Sequence, residues 1–223
     1  MIFDTETNGL PPKNATFHNS NAFPYILQLS YLIIDSKKGN ITDKENDIIK
    51  IPEHISIPEV VSNINKLTKE ICEENGKQVK EVLEKFLYNL TKVDVLVAHN
   101  YNFDKLMLLA ELKRNNLLTN IIQQKMLNGY CTMENGTNLC KLPRHYHTYN
   151  NASFKYPKLV ELYHHLFIKN INNPIYLDET KLHDALADVV VTARCYFKMN
   201  DNIDIYEKFQ DYKKLFDEKV YLC

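Results

Sequence analysis

Four consecutive residues, Val95-Leu96-Val97-Ala98, offer only apolar side chains to both faces of any strand they form. A strand buried on both sides needs a layer above and below it, so the chain is directed toward a sheet covered by helices. The run passes straight into His99-Asn100-Tyr101-Asn102-Phe103-Asp104 and then into helical residues 105–114, a strand-loop-helix unit. Open α/β sheets place ligand sites beyond the carboxyl ends of such strands, where Asp104 stands at the opening of a helix.

The remaining pattern supplies partners for that strand. Residues 2–5 are apolar until the acids begin, and residues 25–35 form a long strand-like run, with Asn8-Gly9-Leu10-Pro11-Pro12 as a loop between them. Lys37-Lys38-Gly39-Asn40 reads as a hairpin turn, with residues 47–51 as the returning strand. Three antiparallel strands result. Val79, Val82, Leu83, Phe86, Leu87 and Leu90 follow helical spacing, and Gly76 ends a shorter helix before them. Leu159, Leu162 and Leu166 mark another helix; Leu186, Val189, Val190, Ala193 and Phe197 mark a further one that Asp184 is placed to cap. Residues 129–157, rich in Asn, Tyr and Thr, show no period and are expected to be a long loop or irregular insert. After Asn200, the residues Ile205, Phe209, Tyr212 and Phe216 lie on one helical stripe, expected to pack on its own domain rather than dock a partner. The expected division is a domain over 1–199 with a helical extension over 200–223.

Composition limits the class of function. With 27 Lys and Arg against 28 Asp and Glu, the formal charge of -1 gives no global attraction to polyanions. Nucleic acid would have to be held by local lysines, backbone amides or metal ions. No apolar run approaches the roughly 18 residues of a membrane span, and the start lacks the pattern of a secretory signal, so an intracellular protein with no membrane partner is expected. Five cysteines at irregular spacing, Cys72, Cys131, Cys140, Cys195 and Cys223, suit free thiols better than a disulfide framework. Cys131, Cys140, His145 and His147 lack the paired spacing of a zinc site.

Individually, the acidic segments are weak signals. Asp4 and Glu6, two apart on a strand, leave the same face and can converge on one cation, although solvated acids at a strand end are the commoner case. Asp104 alone would be an ordinary helix-opening acid. His183 and Asp188 are separated by about 140° of helix rotation, so they can share a site only if His183 lies in the loop before the helix.

Their order and local spacing change the reading. Asp4-Thr5-Glu6-Thr7-Asn8-Gly9-Leu10, His99-Asn100-Tyr101-Asn102-Phe103-Asp104 and His183-Asp184-Ala185-Leu186-Ala187-Asp188 together resemble the three motifs of the DnaQ-like, or DEDDh, exonucleases. The resemblance runs from Ile2 to about Met199 and includes Ile26-Leu27-Gln28-Leu29 and Tyr156-Pro157-Lys158-Leu159. It departs at Asn8, where the family often has Thr.

That resemblance implies an α/β, ribonuclease H-like fold: a mixed five-stranded sheet, three antiparallel strands then two parallel ones, with helices on both faces. It also implies a metal-dependent 3′ to 5′ exonuclease. Asp4, Glu6, Asp104 and Asp188 would ligate two divalent cations, Mg²⁺ or Mn²⁺, and His183 would be the general base. Carboxylate oxygens suit such hard ions, two ions can serve both the attacking water and the leaving oxygen, and an imidazole accepts protons near neutral pH. Thr7 and Leu10 are expected at the terminal nucleotide. Asn100 and Phe103, expected beside the substrate, hold the second motif by a side-chain hydrogen bond and a buried ring in one reading and are ordinary packing in an equal alternative. Tyr101, Tyr146 and Tyr149 offer rings for base stacking, although tyrosine is frequent enough here for packing to be the commoner role. DNA is the expected substrate over RNA, with a polymerase or repair partner in view. The competing readings are an inactive nucleic-acid-binding or scaffold module on the same fold, and an Asp-dependent phosphatase, which would leave His183 and Asp188 unused.

Overall fold

The first strand, β1 (Ile2–Thr7), alternates Ile2, Asp4 and Glu6 on one face with Phe3, Thr5 and Thr7 on the other. In this computed structural model, which describes residues 1–144, 154–169 and 174–221, β1 is the middle of a five-stranded sheet. It pairs antiparallel with β2 (Ile26–Asp35), which pairs antiparallel with β3 (Asn40–Ile48). On its other side β1 runs parallel to β4 (Val97–Ala98), and β4 runs parallel to β5 (Tyr130–Cys131), giving the order β3-β2-β1-β4-β5. This is the mixed sheet that the resemblance implies.

The returning strand differs from its expected place: it begins at Asn40, directly after the turn, and ends at Ile48 rather than spanning 47–51. Its charged residues hid it, because an edge strand carries polar groups outward along its free side. Gly39 has φ +71°, and an added Cβ there would meet the ring of Phe209 at 2.8 Å, so the turn needs both glycine's backbone freedom and its missing side chain.

Helices cover both faces. Three precede β4: α1 (Glu59–Asn65), α2 (Lys69–Asn75), which ends at Gly76 as expected, and α3 (Val79–Leu90). Beyond β4 come α4 (Tyr101–Arg114) and α5 (Asn120–Lys125), then α6 (Thr132–Cys140) and α7 (Leu159–Phe167). The chain closes with α8 (Ala185–Asp201), α9 (Ile205–Lys208) and α10 (Gln210–Lys219). Phe3, Leu29 and Tyr31 pack with Leu83 and Phe86 of α3 and Leu108 of α4 on one face. Ile2, Leu32 and Val97 pack with α7 and α8 on the other.

Residues 129–157 are not simply a loop. They hold β5 and α6, and a two-residue strand is too short to show any period. The C-terminal stripe is broken at Phe209 into α9 and α10, and both pack into the α8 face, with Ile205, Tyr212 and Phe216 fully buried. Among the described residues, no helix is long and apolar enough to cross a membrane. Cys72, Cys131, Cys140 and Cys195 are free thiols, and Cys131 caps α6 through its sulfur. Cys223, His145, Tyr146, His147 and Tyr149 lie outside the described residues.

Candidate metal centre

The sheet opens at the end of β1. Strands β1 and β4 pair at Ile2 and Val97, and past that point the free backbone edge of β1 meets a side chain instead of a strand. Asp104, in the first turn of α4 and 2% exposed, accepts hydrogen bonds from the Thr5 backbone N–H at 3.0 Å and the Thr5 hydroxyl at 2.8 Å. This fixes Asp104 beside the strand that carries Asp4 and Glu6. The change from antiparallel to parallel neighbours happens at β1, so the acids stand at the sheet's topological switch.

Helix α8 brings the remaining two residues. Asp184 is its N-cap, accepting from the backbone N–H groups of Leu186 and Ala187, and Asp188 follows within the first turn. His183 lies outside the helix with φ 67°, in the left-handed region. That backbone turn is what lets an exposed imidazole face the same space as Asp188 despite the helical offset. Ligand atoms of Glu6, His183 and Asp188 lie within 4.8 Å of one another.

The electrostatics describe a site crowded with negative charge. Burial, with Asp104, Asp188, Glu6 and Asp184 nearby, holds the Asp4 carboxyl well above its ordinary range. Burial and the neighbouring Asp188 push Glu6 up to about 8, against the opposing side chain of Asn65. Burial raises Asp104 to about 7 despite its two Thr5 bonds, and raises Asp188 to about 7 despite a hydrogen bond from the His183 backbone. Asp188 Oδ1 is buried and has no hydrogen-bond partner. A buried carboxylate oxygen without a donor is costly, and a divalent cation is the partner that an all-oxygen cluster suits.

The other expected site residues are placed as follows. Leu10 is 82% exposed, so it does not cover the core. The Thr7 hydroxyl donates to the Gly9 carbonyl at 2.7 Å and braces the loop. Asn100 departs from expectation: its side chain makes no capping bond, and it serves by adopting φ 74° ahead of α4, a conformation Asn tolerates. Phe103 is partly buried against the core. Tyr101 takes the packing role that the frequency of tyrosine made the commoner expectation. It is 4% exposed, donates its hydroxyl to the Met126 carbonyl, and packs so closely that a side chain at Gly129 would overlap its ring, so no base can stack there. His99 is likewise structural, with its ring between the Thr132 hydroxyl and the Pro157 carbonyl and its pKa lowered to about 4 by burial.

Three residues were not anticipated. Asn65 lies against Glu6. Asn8 ties the first-motif loop to Tyr25 and to the Ser56 carbonyl, and Gln28 reaches α8 from the sheet. Asn8 and Gln28 stand inside the matching segments, but the bonds they make gave no signal, because their partners are distant in sequence.

The exonuclease family model, RNase_T, matches residues 1–196. No curated protein is a match. Among solved structures, E. coli Exonuclease I with a dA16 oligonucleotide is 17% identical with a TM-score of 0.61, over 97% of this chain and 42% of that one. Exonuclease X with 5′-overhanging duplex DNA is 17% identical with a TM-score of 0.50, over 95% and 97% of the two chains. The nuclease domain of 3′hExo, a DEDDh family member bound to rAMP, is 13% identical with a TM-score of 0.60, over 92% of each. The chain thus spans 42% of the length of Exonuclease I, and at these identities the likeness is one of fold.

Proposed function

Because the chain belongs to the exonuclease family, whose model spans residues 1–196, we propose that it removes nucleoside monophosphates from the 3′ end of nucleic acid. The observation that carries this reading is the convergence of Asp4, Glu6, Asp104 and Asp188, with Asp188 Oδ1 buried and unpartnered. In this reading these carboxylates hold two divalent cations, Mg²⁺ or Mn²⁺. Bound there, the cations supply acidification of the attacking water and compensation for charge on the phosphate and leaving oxygen.

The protein's own residues do the rest. His183, exposed and held apart from α8 by its left-handed backbone, is the general base that takes the water's proton. Thr5 keeps Asp104 aimed at the cluster through two hydrogen bonds. Leu10, standing out from the first-motif loop, meets the terminal base, and Thr7, Asn100 and Phe103 complete the substrate-binding set. DNA is the favoured substrate, since Exonuclease I and Exonuclease X were each solved with DNA. Residues 1–199 form the exonuclease domain and 200–223 an extension that braces it. The activity fits repair by the protein alone or proofreading beside a polymerase.

The test is degradation of 5′-labelled DNA and RNA, single- and double-stranded, with Mg²⁺ or Mn²⁺. A ladder shortening from the 3′ end, faster on DNA, is expected. Protection without laddering would instead make the chain a binding module, and immediate release of the label as a mononucleotide would reverse the polarity.

A further inference from the structure

Gln28 faces Glu6 directly across the β1–β2 pair and is 3% exposed. Its amide joins the sheet to the start of α8. Nε2 donates to Asp184 Oδ2 at 3.0 Å and to Asn46 Oδ1 of β3 at 2.9 Å, while Oε1 accepts from the Ala185 backbone N–H at 3.2 Å. The orientation is forced, because an ionised carboxylate only accepts and a backbone N–H only donates. Asn46 is itself held by the Ser30 hydroxyl.

With that bond, every backbone donor in the first turn of α8 has a partner. Ala185 N–H goes to Gln28, Leu186 and Ala187 to Asp184 Oδ1, and Asp188 to the Asp184 carbonyl. Helix starts ordinarily leave such donors to caps, water or ligands. Here the side chain of one glutamine both completes the cap and ties the N-cap residue to the strand neighbour of Glu6. Asp188 rides in this first turn and His183 directly precedes it, so the seat of α8 sets how far both stand from Glu6.

We propose that Gln28 is a positioning residue for the metal centre: it fixes the gap across which Glu6 meets Asp188 and His183. The inference rests on the metal-dependent reading above. Glutamine is the side chain the position requires. A glutamate would keep the bond from Ala185 but set a like charge against Asp184, and an asparagine is too short to reach both α8 and β3.

The experiment is Mn²⁺ titration followed by electron paramagnetic resonance, with circular dichroism and thermal unfolding on the same samples. The proteins compared are wild type, Gln28→Glu, Gln28→Asn and the double variant Gln28→Glu with Asp184→Asn. The single variants are expected to bind Mn²⁺ at least about tenfold more weakly, the usual scale for residues that orient metal ligands. The double variant reverses the polarity of the hydrogen bond and is expected to recover affinity to within about threefold of wild type. If Gln28→Glu fails to fold, Gln28→Asn is read in its place. A lower melting temperature with Mn²⁺ affinity unchanged would reduce Gln28 to a packing role and overturn the proposal, as would equal loss in single and double variants. A wild-type chain that binds no Mn²⁺ overturns the metal reading and this proposal together, a pattern distinct from the other two.

Discussion

Asp188 shows what the site costs when it carries its own charge alone. Its pKa of about 7 and that of Glu6 at about 8 are both above ordinary carboxylate values, chiefly because burial disfavours the charged form. The folded state therefore binds protons more tightly than the unfolded chain. The stability these groups contribute is complete below the unfolded carboxylate range and is lost as pH rises through about 7 and 8. Metal-free protein is thus expected to melt at lower temperature at pH 8 than at pH 5.5, and saturating Mn²⁺ should flatten that slope; thermal unfolding with and without chelator checks it. Asp188→Asn removes one charge and keeps the side-chain shape. It should abolish degradation of a labelled oligonucleotide while raising the metal-free melting temperature at pH 8 by about 2–8 °C, from roughly 1–2 kcal/mol of relieved burial of charge.

Among the elements, β1 and α4 meet through Thr5 and Asp104. Thr5→Val leaves the backbone bond and deletes the hydroxyl, so stability should fall by about 1 kcal/mol and turnover by about tenfold. Thr5→Ser should restore most of both, measured by urea unfolding and initial rates. The acids stood out only through the resemblance of the three segments taken together, since Asp4 and Glu6 two apart, or Asp188 five after His183, are weak signals alone. The helices at 79–90, 159–167 and 185–201 were legible because each carries a periodic apolar face. Strand β5 and helix α6 were not, since two residues hold no period and α6 reads Thr-Met-Glu-Asn-Gly-Thr-Asn-Leu-Cys. Tyr101 was read with packing as its commoner role, and its ring does fill the space beside Gly129. Gln28 stayed hidden because its helix partner lies 156 residues away.

For the molecule as a whole, the C-terminal helices are joined to the domain through Arg194. This residue is 3% exposed, pairs with Asp204 at 2.7 and 2.9 Å, and lies over the rings of Phe167, Tyr206 and Phe216. Asp204→Ala strands the guanidinium without its counter-charge and should cost about 3 kcal/mol, whereas adding Arg194→Met to that change should recover part of the loss. Denaturant unfolding of wild type and the two variants decides this. Turnover per folded molecule should be unchanged in each, because the cluster touches none of the acids.

The pairing of β1 with β2 slips between Glu6 and Thr7, where Thr7 partners Ile26 in place of the next residue in register. Such a bulge works as a mechanical joint. Upstream, the rungs that aim Asp4 and Glu6 stay locked to β2; the extra residue, Leu27, lies on β2, and beyond Thr7 the chain passes into the segment bearing Leu10. A change in the loop beyond Asn8 thus leaves the two carboxylates in register on their rungs.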